Sequence, residues 1–273
     1  MAHFKDQLGR TITISSPPER IISVVPSQTE LLYDLRLENE VVGITKFCVH
    51  PKEWFNYKAK VGGTKKLHID VIRSLHPDLI IANKEENDKE QLEELMKDFP
   101  VWISDIYTLQ NALSMIHSIG EITGKIEGSE EIANNIQNKF DQLAPNPSLE
   151  TRPAETSNQK PEAAYFIWRN PWMVAGKETF IHEMMNYCGF DNCFSHLSRY
   201  PEIQLAQLNK SGCKWILLSS EPFPFREKHA EEIRQIIPDA KIIFVDGEMF
   251  SWYGSRLLKA PEYFKEIREK ITE

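Results

Sequence analysis

The chain has 273 residues, of which 41% are hydrophobic and 26% charged, a composition typical of a globular protein with room for two lobes. Its formal net charge of −8 excludes a general nucleic-acid or anionic-membrane surface, because both need a dense basic face. No apolar run approaches the roughly 20 residues that span a bilayer. Residues 1–14 hold no basic region followed by an apolar one, so no signal peptide is expected. Two locations stay open: the cytoplasm, or an export compartment after removal of a leader.

Short apolar runs alternate with helical patterns through the first hundred residues. A hairpin arm is expected at 10–14, and strands are expected at 20–25, 41–47, 78–83 and 101–106. Helices are expected between them, at 29–35, 69–75 and 88–99. Strands and helices that alternate at this length predict a parallel sheet covered on both faces. Residues 1–107 are therefore predicted to form an N-terminal α/β lobe.

The middle of the chain is helical and is followed by a polar stretch. Apolar residues recur at helical spacing through 108–144, which predicts two helices, the second over 126–143. That second helix would be on the order of 27 Å long, enough to bridge two lobes. Residues 145–162 contain four prolines and few apolar side chains, which is typical of a flexible linker. A second α/β series over 163–273 predicts a C-terminal lobe.

Ligands of such sheets bind beyond the carboxyl ends of the strands, so the loops at those ends are the candidate site. Ser27 and Glu30 after the first strand have the spacing of a capping box, and a helix start there also offers N–H groups to an anion. Aromatic residues fall on the strand-end loops of the second lobe, which favours a flat, partly apolar ligand over a packed corner. They are Trp168, Trp172, Phe223, Phe225, Trp252 and Tyr253.

Several segments, in order along nearly the whole chain, resemble the class III substrate-binding proteins of ABC importers. They include "DQLGRTITI", "PPERIISVVPSQTELLYDL", "VGGTKKLHIDVIRSLHPDLIIAN" and "YFIWRNPWMVAGKETFIHEMMNYCGFDNCF". The resemblance is closest to the cobalamin-binding branch of the cobalamin, haem and iron-siderophore binders. It implies two Rossmann-like lobes with parallel sheets, joined by a rigid bridging helix, with the ligand in the cleft between the lobes.

The resemblance further implies a bound metal chelate, a cobalamin-like corrinoid first and haem or a ferric siderophore otherwise, with no intrinsic cofactor. It would place Trp168, Trp172, Trp252, Tyr253 and Arg256 at the mouth of the cleft. With the residues of the other strand-end loops, the predicted ligand-binding set comprises Gln28, Phe47, Cys48, Trp168, Trp172, Tyr200, Glu221, Trp252, Tyr253 and Arg256.

Members of this family dock on the transporter's membrane subunits through one acidic residue on each lobe. Asp70 matches the first position, whereas Ala206 and Gln207 stand where a glutamate is expected in the second, with Glu202 a few residues away. Docking through Asp70 and Glu202 is one expectation. A cytoplasmic chelate-binding protein that meets no transporter is the alternative. In either case we expect a monomer that binds a small-molecule chelate, with no nucleic-acid partner and no membrane-embedded segment.

An enzyme that uses the same site is the third possibility. The chain contains no G-x-S-x-G, phosphate-loop or H-E-x-x-H motif, and "VGGT" is too short for a dinucleotide-binding fingerprint. The scattered histidines and the carboxylate pairs on loops supply no nucleophile with an orienting base, so no catalytic or metal-ligating residues are predicted. The four cysteines match no zinc spacing and are expected to be four buried or idle thiols, with one disulfide as the alternative.

Overall fold

A computed structural model of the protein describes residues 2–14, 17–143, 160–211 and 213–272. These residues divide into two compact units. The first unit comprises the residues up to Ile106, Gln110–Gln137 and Tyr253–Leu258. The second comprises Tyr107–Leu109, the described residues from Asn138 to Trp252, and those from Lys259 onwards.

A β-hairpin opens the first unit. β1 (Ala2–Lys5) pairs antiparallel with β2 (Thr11–Ile14), which confirms the hairpin predicted from the sequence. Asp6 closes the turn, because its Oδ1 accepts the backbone N–H groups of Leu8 at 3.0 Å and Arg10 at 2.9 Å. Its Oδ2 accepts Nε of Arg10 at 2.9 Å, so a single buried carboxylate fixes both the backbone and a side chain of the turn.

The first unit is built on a parallel sheet of five strands. They are β3 (Ile21–Ser23), β4 (Val41–Ile44), β5 (Ala59–Lys60), β6 (Leu79–Asn83) and β7 (Val101–Ser104), in the spatial order β5-β4-β3-β6-β7. Every residue of β6 and β7 is buried, as expected of strands covered on both faces. The strands predicted at 20–25, 41–47, 78–83 and 101–106 are confirmed, with slightly shorter bounds.

Four short helices accompany this sheet: α1 (Pro26–Asp34), α2 (Lys52–Tyr57), α3 (Ile69–Ser74) and α4 (Lys89–Leu95). The capping box predicted for Ser27 and Glu30 is wrong. α1 begins three residues earlier than predicted, with Val25 as its N-cap and no side-chain cap, so both residues lie inside the helix. Pro26 explains the early start, because a proline at the first helical position has the required φ and its missing N–H costs nothing there.

Two longer helices follow: α5 (Leu109–Thr123) and α6 (Ile126–Leu143). Their apolar faces repeat at helical spacing, and Gly124, at φ +70°, ends α5 in the left-handed conformation that favours glycine. The second helix has the bounds predicted from the sequence. Residues 126–137 of α6 belong to the first unit and residues 138–143 to the second, so this helix is shared by both.

The second unit contains another largely parallel sheet. Its strands are β8 (Glu162–Trp168), β9 (Met173–Val174), β10 (Asp191–Asn192), β11 (Trp215–Ser219) and β12 (Lys241–Val245), in the order β10-β8-β11-β12, with β9 antiparallel to β8. The helices are α7 (Phe180–Cys188), α8 (Leu205–Ser211), α9 (Glu227–Arg234), α10 (Glu248–Ser251) and α11 (Ala260–Thr272). A 3-10 helix, Ser255–Leu258, lies between the last two in sequence but belongs to the first unit. The predicted fold class, two α/β lobes with parallel sheets, is confirmed.

Most of the predicted linker, 145–162, lies outside the described residues. Its last residue, Glu162, already begins β8. The domain boundaries predicted from the sequence therefore remain a proposal.

A disulfide joins Cys193 to Cys213, so the expectation of four idle thiols is wrong. Cys193 directly follows β10 and Cys213 precedes β11, and these two strands flank β8 on either side. The sheet order thus brings together two cysteines that are 20 residues apart in sequence, with their Cα atoms 6.3 Å apart. Cys48 and Cys188 are free thiols, and both are buried.

Candidate ligand-binding site

The parallel strands of each unit end along one edge of their sheet, and the loops beyond that edge carry most of the residues predicted to bind a ligand. In the first unit, buried amides connect these strand ends. Gln28 on α1 donates from Nε2 to Oγ of Ser104 at 2.6 Å, and Asn83 donates from Nδ2 to the same oxygen at 3.0 Å. Gln28 is fully buried, and its Oε1 accepts no hydrogen bond from the described residues. The structure thus places Gln28 in contact with the strand end of β7.

The loop after β6 is shaped by two asparagines. Asn83 Oδ1 accepts the backbone N–H groups of Glu85 and Glu86, and Asn87 Oδ1 accepts the N–H of Asn83 at 2.8 Å. Asn87 also donates from Nδ2 to the carbonyl oxygens of Val24 and Thr64, both at 3.1 Å. These side chains satisfy the backbone of a tight polar turn, so the loop has a defined conformation.

Phe47 and Cys48 are neighbours in sequence but face different surroundings. Phe47 is 50% exposed, whereas Cys48 is fully buried, with its Sγ 3.1 Å from the hydroxyls of Thr29 and Thr45. Burial raises the pKa of the Cys48 thiol to about 11, although both threonines lower it. Cys48 is therefore a neutral, buried thiol at the strand ends. Phe47 is the residue of this pair that is exposed to solvent.

The segment 253–258 packs against α1 in the first unit. Arg256 donates from Nε to Oε2 of Glu30 at 2.8 Å, and both side chains are largely buried. Tyr253 donates from its hydroxyl to Oε1 of Glu86 at 2.9 Å. Gly254, at φ +144°, lets the segment 253–258 approach α1 closely, because a Cβ at this position would lie 3.0 Å from the carbonyl oxygen of Ser27. Arg256, predicted at a site mouth, is thus held in a buried ion pair.

A carboxylate anchors the strand-end loops of the second unit. Oε1 of Glu221 accepts Oγ of Ser251 at 2.7 Å and the indole N–H of Trp252 at 2.9 Å. Burial raises the pKa of Glu221, and the nearby carboxylates of Glu248 and Asp246 raise it further, while the two hydrogen bonds oppose this. Trp252 is only 6% exposed, so this pair forms a packed corner at the C-terminal end of α10.

An aromatic cluster lies beside this corner, at the ends of β8 and β11. Trp172 stacks on Phe225, with ring centroids 6.1 Å apart and planes within 7° of parallel. Trp168 is 40% exposed and meets the ring of Phe223 edge-on at 5.6 Å. The guanidinium of Arg169 lies over the Trp172 ring, 4.9 Å from its centroid. We call these five residues the aromatic surface of the second unit.

Arg169 is held in place by Glu232 of α9, whose Oε2 accepts Nε of Arg169 at 2.8 Å and Nη2 at 2.5 Å. His229, one turn earlier on α9, lies edge-on to Phe225 at 5.6 Å and accepts the backbone N–H of Arg226 at 2.9 Å. Burial lowers the pKa of His229, which favours the neutral form of the ring where it packs against the phenylalanines.

The two predicted docking residues are both exposed. Asp70 lies in the first turn of α3. Glu202 lies in an extended segment that pairs with β9, since it forms an isolated bridge with Met173. Ile203, the next residue, donates its N–H to the carbonyl oxygen of Trp172 at 2.9 Å. Tyr200 of the same segment is half-buried, so the segment joins a docking candidate to the backbone of the aromatic surface.

None of the helices in the described part of the chain is long and apolar enough to cross a membrane. The same residues contain no group of three or more His, Cys, Asp or Glu side chains arranged to hold a metal ion.

A sequence profile described as "Periplasmic binding protein" matches residues 21–238, which is most of the chain. The chain belongs to this family of binding proteins. Among its relatives, a vitamin B12-binding protein of Pectobacterium atrosepticum is 23% identical over 255 residues, which cover 90% of this chain and 86% of the relative. An uncharacterized ABC transporter substrate-binding lipoprotein of Bacillus subtilis, YvrC, is 29% identical over 188 residues, 66% of this chain and 57% of its own length.

Solved structures give the same fold at low identity. The periplasmic vitamin B12-binding protein BtuF of Vibrio cholerae superposes with a TM-score of 0.76 at 21% identity, covering 94% of this binding protein and 99% of BtuF. The periplasmic haem-binding protein RhuT of Roseiflexus also gives 0.76, at 18% identity, with 92% and 98% covered. At this identity the likeness establishes the fold of the binding protein.

Sequence reasoning missed three residues that organise the aromatic surface of this binding protein: Arg169, Glu232 and His229. Arg169 and Glu232 are 63 residues apart, and no local pattern links them. The only signal was the repeated "PFPF" at 222–225, which places two phenylalanines at a strand end beside an aromatic strand.

Proposed function

We propose that this protein is the solute-binding component of an ABC importer and carries a bulky metal chelate. A cobalamin-like corrinoid is the first candidate, and haem or a ferric siderophore is the second. The observation that carries this proposal is the aromatic surface of the second unit, where Trp168 is 40% exposed and meets the ring of Phe223, and Trp172 stacks on Phe225. Exposed, rigid aromatic rings at strand ends suit a large flat ligand.

The family and the names of its relatives also support this choice. Relatives named vitamin B12-binding proteins match over as much as 90% of this chain, and structures of vitamin B12- and haem-binding proteins share its fold. The disulfide between Cys193 and Cys213 supports an exported location, because disulfides persist in oxidising compartments and are rare in the cytosol.

The test is a titration of the purified protein with cyanocobalamin, haemin and ferrichrome, followed by tryptophan fluorescence and visible absorbance. One of the three is expected to quench the fluorescence saturably. Trp168→Ala should then weaken its binding by about 2 kcal/mol, the size of an aromatic anchor. Tyr57→Ala, which removes another strongly exposed ring, is the control and should leave affinity unchanged. If none of the three compounds binds, the chelate proposal fails.

We further propose that the protein docks on its transporter through Asp70 and Glu202. Carboxylates that project from the surface can form charge-assisted contacts with arginines of a membrane subunit. In a reconstituted importer, transport and ATP hydrolysis should be stimulated by the wild-type protein and not by Asp70→Ala or Glu202→Ala. Glu90→Ala, on another exposed helix face, should behave as wild type. Equal stimulation by all variants would remove both residues from docking, and no stimulation at all would favour a chelate-binding protein that serves no importer.

A further inference from the structure

The loop after β4 places a cation over a solvent-exposed aromatic ring in the first unit. Phe47 is 50% exposed, Lys46 is also exposed, and the Lys46 Nζ lies 5.1 Å from the centroid of the Phe47 ring. Other lysine–aromatic contacts nearby differ, because those ammonium groups are directed to backbone carbonyls. Lys60, for example, lies over Phe55 but donates to the carbonyl oxygen of that residue at 2.6 Å.

A glycine turn supports the position of this ring and its cation. A Cβ at Gly63 would lie 3.0 Å from Cε2 of Phe47 and 3.4 Å from Cε of Lys46, so the ring and the lysine stem rest on bare backbone. The turn is fixed by two backbone hydrogen bonds of 2.8 Å, from Lys46 to Gly62 and from Gly63 to Lys66. The backbone of the short "VGGT" segment, residues 61–64, thus supports the side chains of Lys46 and Phe47.

The segment that contains Lys46 and Phe47 carries a net positive charge, opposite in sign to that of the whole chain. Residues 46–68 contain six lysines and one glutamate, whereas the whole chain has a net charge of −8. Lys65 and Lys66 are exposed in the same turn, and Lys65 donates to the carbonyl oxygen of Glu85 at 2.6 Å, a contact that leaves its charge in place. Glu85 and Glu86 are carboxylates on the adjacent loop, and Glu86 accepts the Tyr253 hydroxyl.

We propose that Lys46 is a specificity-determining residue, which binds a carboxylate or phosphate group of a ligand whose flat body covers Phe47. This inference rests on the proposed function and narrows the ligand to chelates that carry an anionic group on their rim. A flat ligand on Phe47 would exclude water from the Lys46 ammonium. The contact between Lys46 and an anion would then be stronger than an exposed ion pair, which contributes little.

The experiment compares ligands that differ in the anionic group. Haemin, which carries two propionates, is compared with its dimethyl ester. Cyanocobalamin, which carries a phosphodiester, is compared with cobinamide, which lacks the phosphodiester together with the ribose and base attached to it. Affinities are measured by tryptophan quenching for wild type, Lys46→Gln and the control Lys52→Gln. Lys52 is an exposed lysine of the same region on α2, so its substitution removes an equal charge.

Wild type is expected to bind the anionic member of a pair about tenfold more tightly, the effect of one hydrogen bond between charged groups. The preference should disappear in Lys46→Gln, persist in Lys52→Gln and weaken with added salt. Equal binding of both members of a pair by wild type, or a preference that survives in Lys46→Gln, would overturn the inference and leave the chelate proposal intact. Binding of ferrichrome alone, which is neutral, would also overturn the inference about Lys46 and leave the chelate proposal intact. If no chelate binds, both proposals fail.

Discussion

The indole N–H of Trp252 donates to Oε1 of Glu221 at 2.9 Å, across 31 residues of chain. The same oxygen accepts the hydroxyl of Ser251, so one carboxylate holds the C-terminal end of α10 to the loop after β11. Because Trp252 is nearly buried, its first role is to hold these two loops together.

We therefore predict that Trp252→Ala destabilises the protein by about 3–5 kcal/mol, as expected when a buried tryptophan is removed. Trp252→Phe should cost less, because it keeps the ring and loses the hydrogen bond to Glu221. Denaturant unfolding measures both values. A Trp252→Ala variant with unchanged stability and weakened ligand binding would instead make this residue a ligand contact.

The raised pKa of Glu221 predicts a pH dependence of stability. A carboxyl group whose folded pKa lies above its ordinary value of 4.5 contributes stability below that value, and loses it as pH rises through the folded pKa. Gln at this position does not titrate. The difference in melting temperature between wild type and Glu221→Gln should therefore fall as pH rises from about 4. A difference that is constant or grows with pH would contradict a raised pKa.

Two glycines of the α5–α6 pair should respond oppositely to alanine. A Cβ at Gly120 would overlap the side chain of Ser129 and approach the carbonyl oxygen of Lys125 to 3.1 Å, whereas at Gly128 it would meet only Leu35, at 3.4 Å. Gly120→Ala is expected to cost about 1–3 kcal/mol through overpacking. Gly128→Ala is expected to gain about 0.5–1 kcal/mol through reduced entropy of the unfolded chain.

Chemical denaturation of the two variants gives these free energies of unfolding. Ser129→Gly added to Gly120→Ala should recover most of the loss, because it removes the atoms that overlap. If the double variant is no more stable than Gly120→Ala, the contact between the two helices at this point is not the cause.

Arg268 of α11 connects the ends of two helices in the second unit. It donates from Nη1 to the carbonyl oxygen of Leu143 at 2.8 Å and from Nη2 to that of Tyr187 at 2.6 Å. Arg268→Ala should cost about 2 kcal/mol, because it removes charge-assisted hydrogen bonds to carbonyls at helix ends. Lys265→Ala, which removes an exposed ion pair of the same helix, should change stability by less than about 0.5 kcal/mol. Equal losses in thermal or denaturant unfolding would contradict the capping role.

The cysteines should differ in reactivity. Burial raises the pKa of Cys48 to about 11 and that of Cys188 to about 12, so neither thiol should react with iodoacetamide at pH 8 in the folded protein. Two alkylated residues are expected after unfolding without reductant, and four after unfolding with it. Reduction should also lower stability by about 3 kcal/mol, as expected for a disulfide that closes a loop of this length. Four reactive thiols without reductant would exclude the disulfide.

The sequence alone predicted most strands and helices of the first unit and the loops in which a ligand site was to be sought. Apolar periodicity is a local property, so it predicted β6, β7 and the bounds of α6, and it placed Trp168 and Phe47 at strand ends. The capping box predicted at Ser27 is wrong because the helix begins at Pro26 instead. The start of α1 depends on how the chain turns from β3 into the helix.

The tertiary structure alone decided which distant residues meet. The order β10-β8-β11-β12 brings Cys193 to Cys213, and the packing of α9 on the strand ends brings Glu232 to Arg169. Glu30, predicted as part of a cap, instead pairs with Arg256 from a segment 226 residues away. Such contacts depend on strand order and on which side chains become buried together. A local sequence pattern contains no information on strand order or on which side chains are buried together. Both are set by the free energy of packing the whole unit.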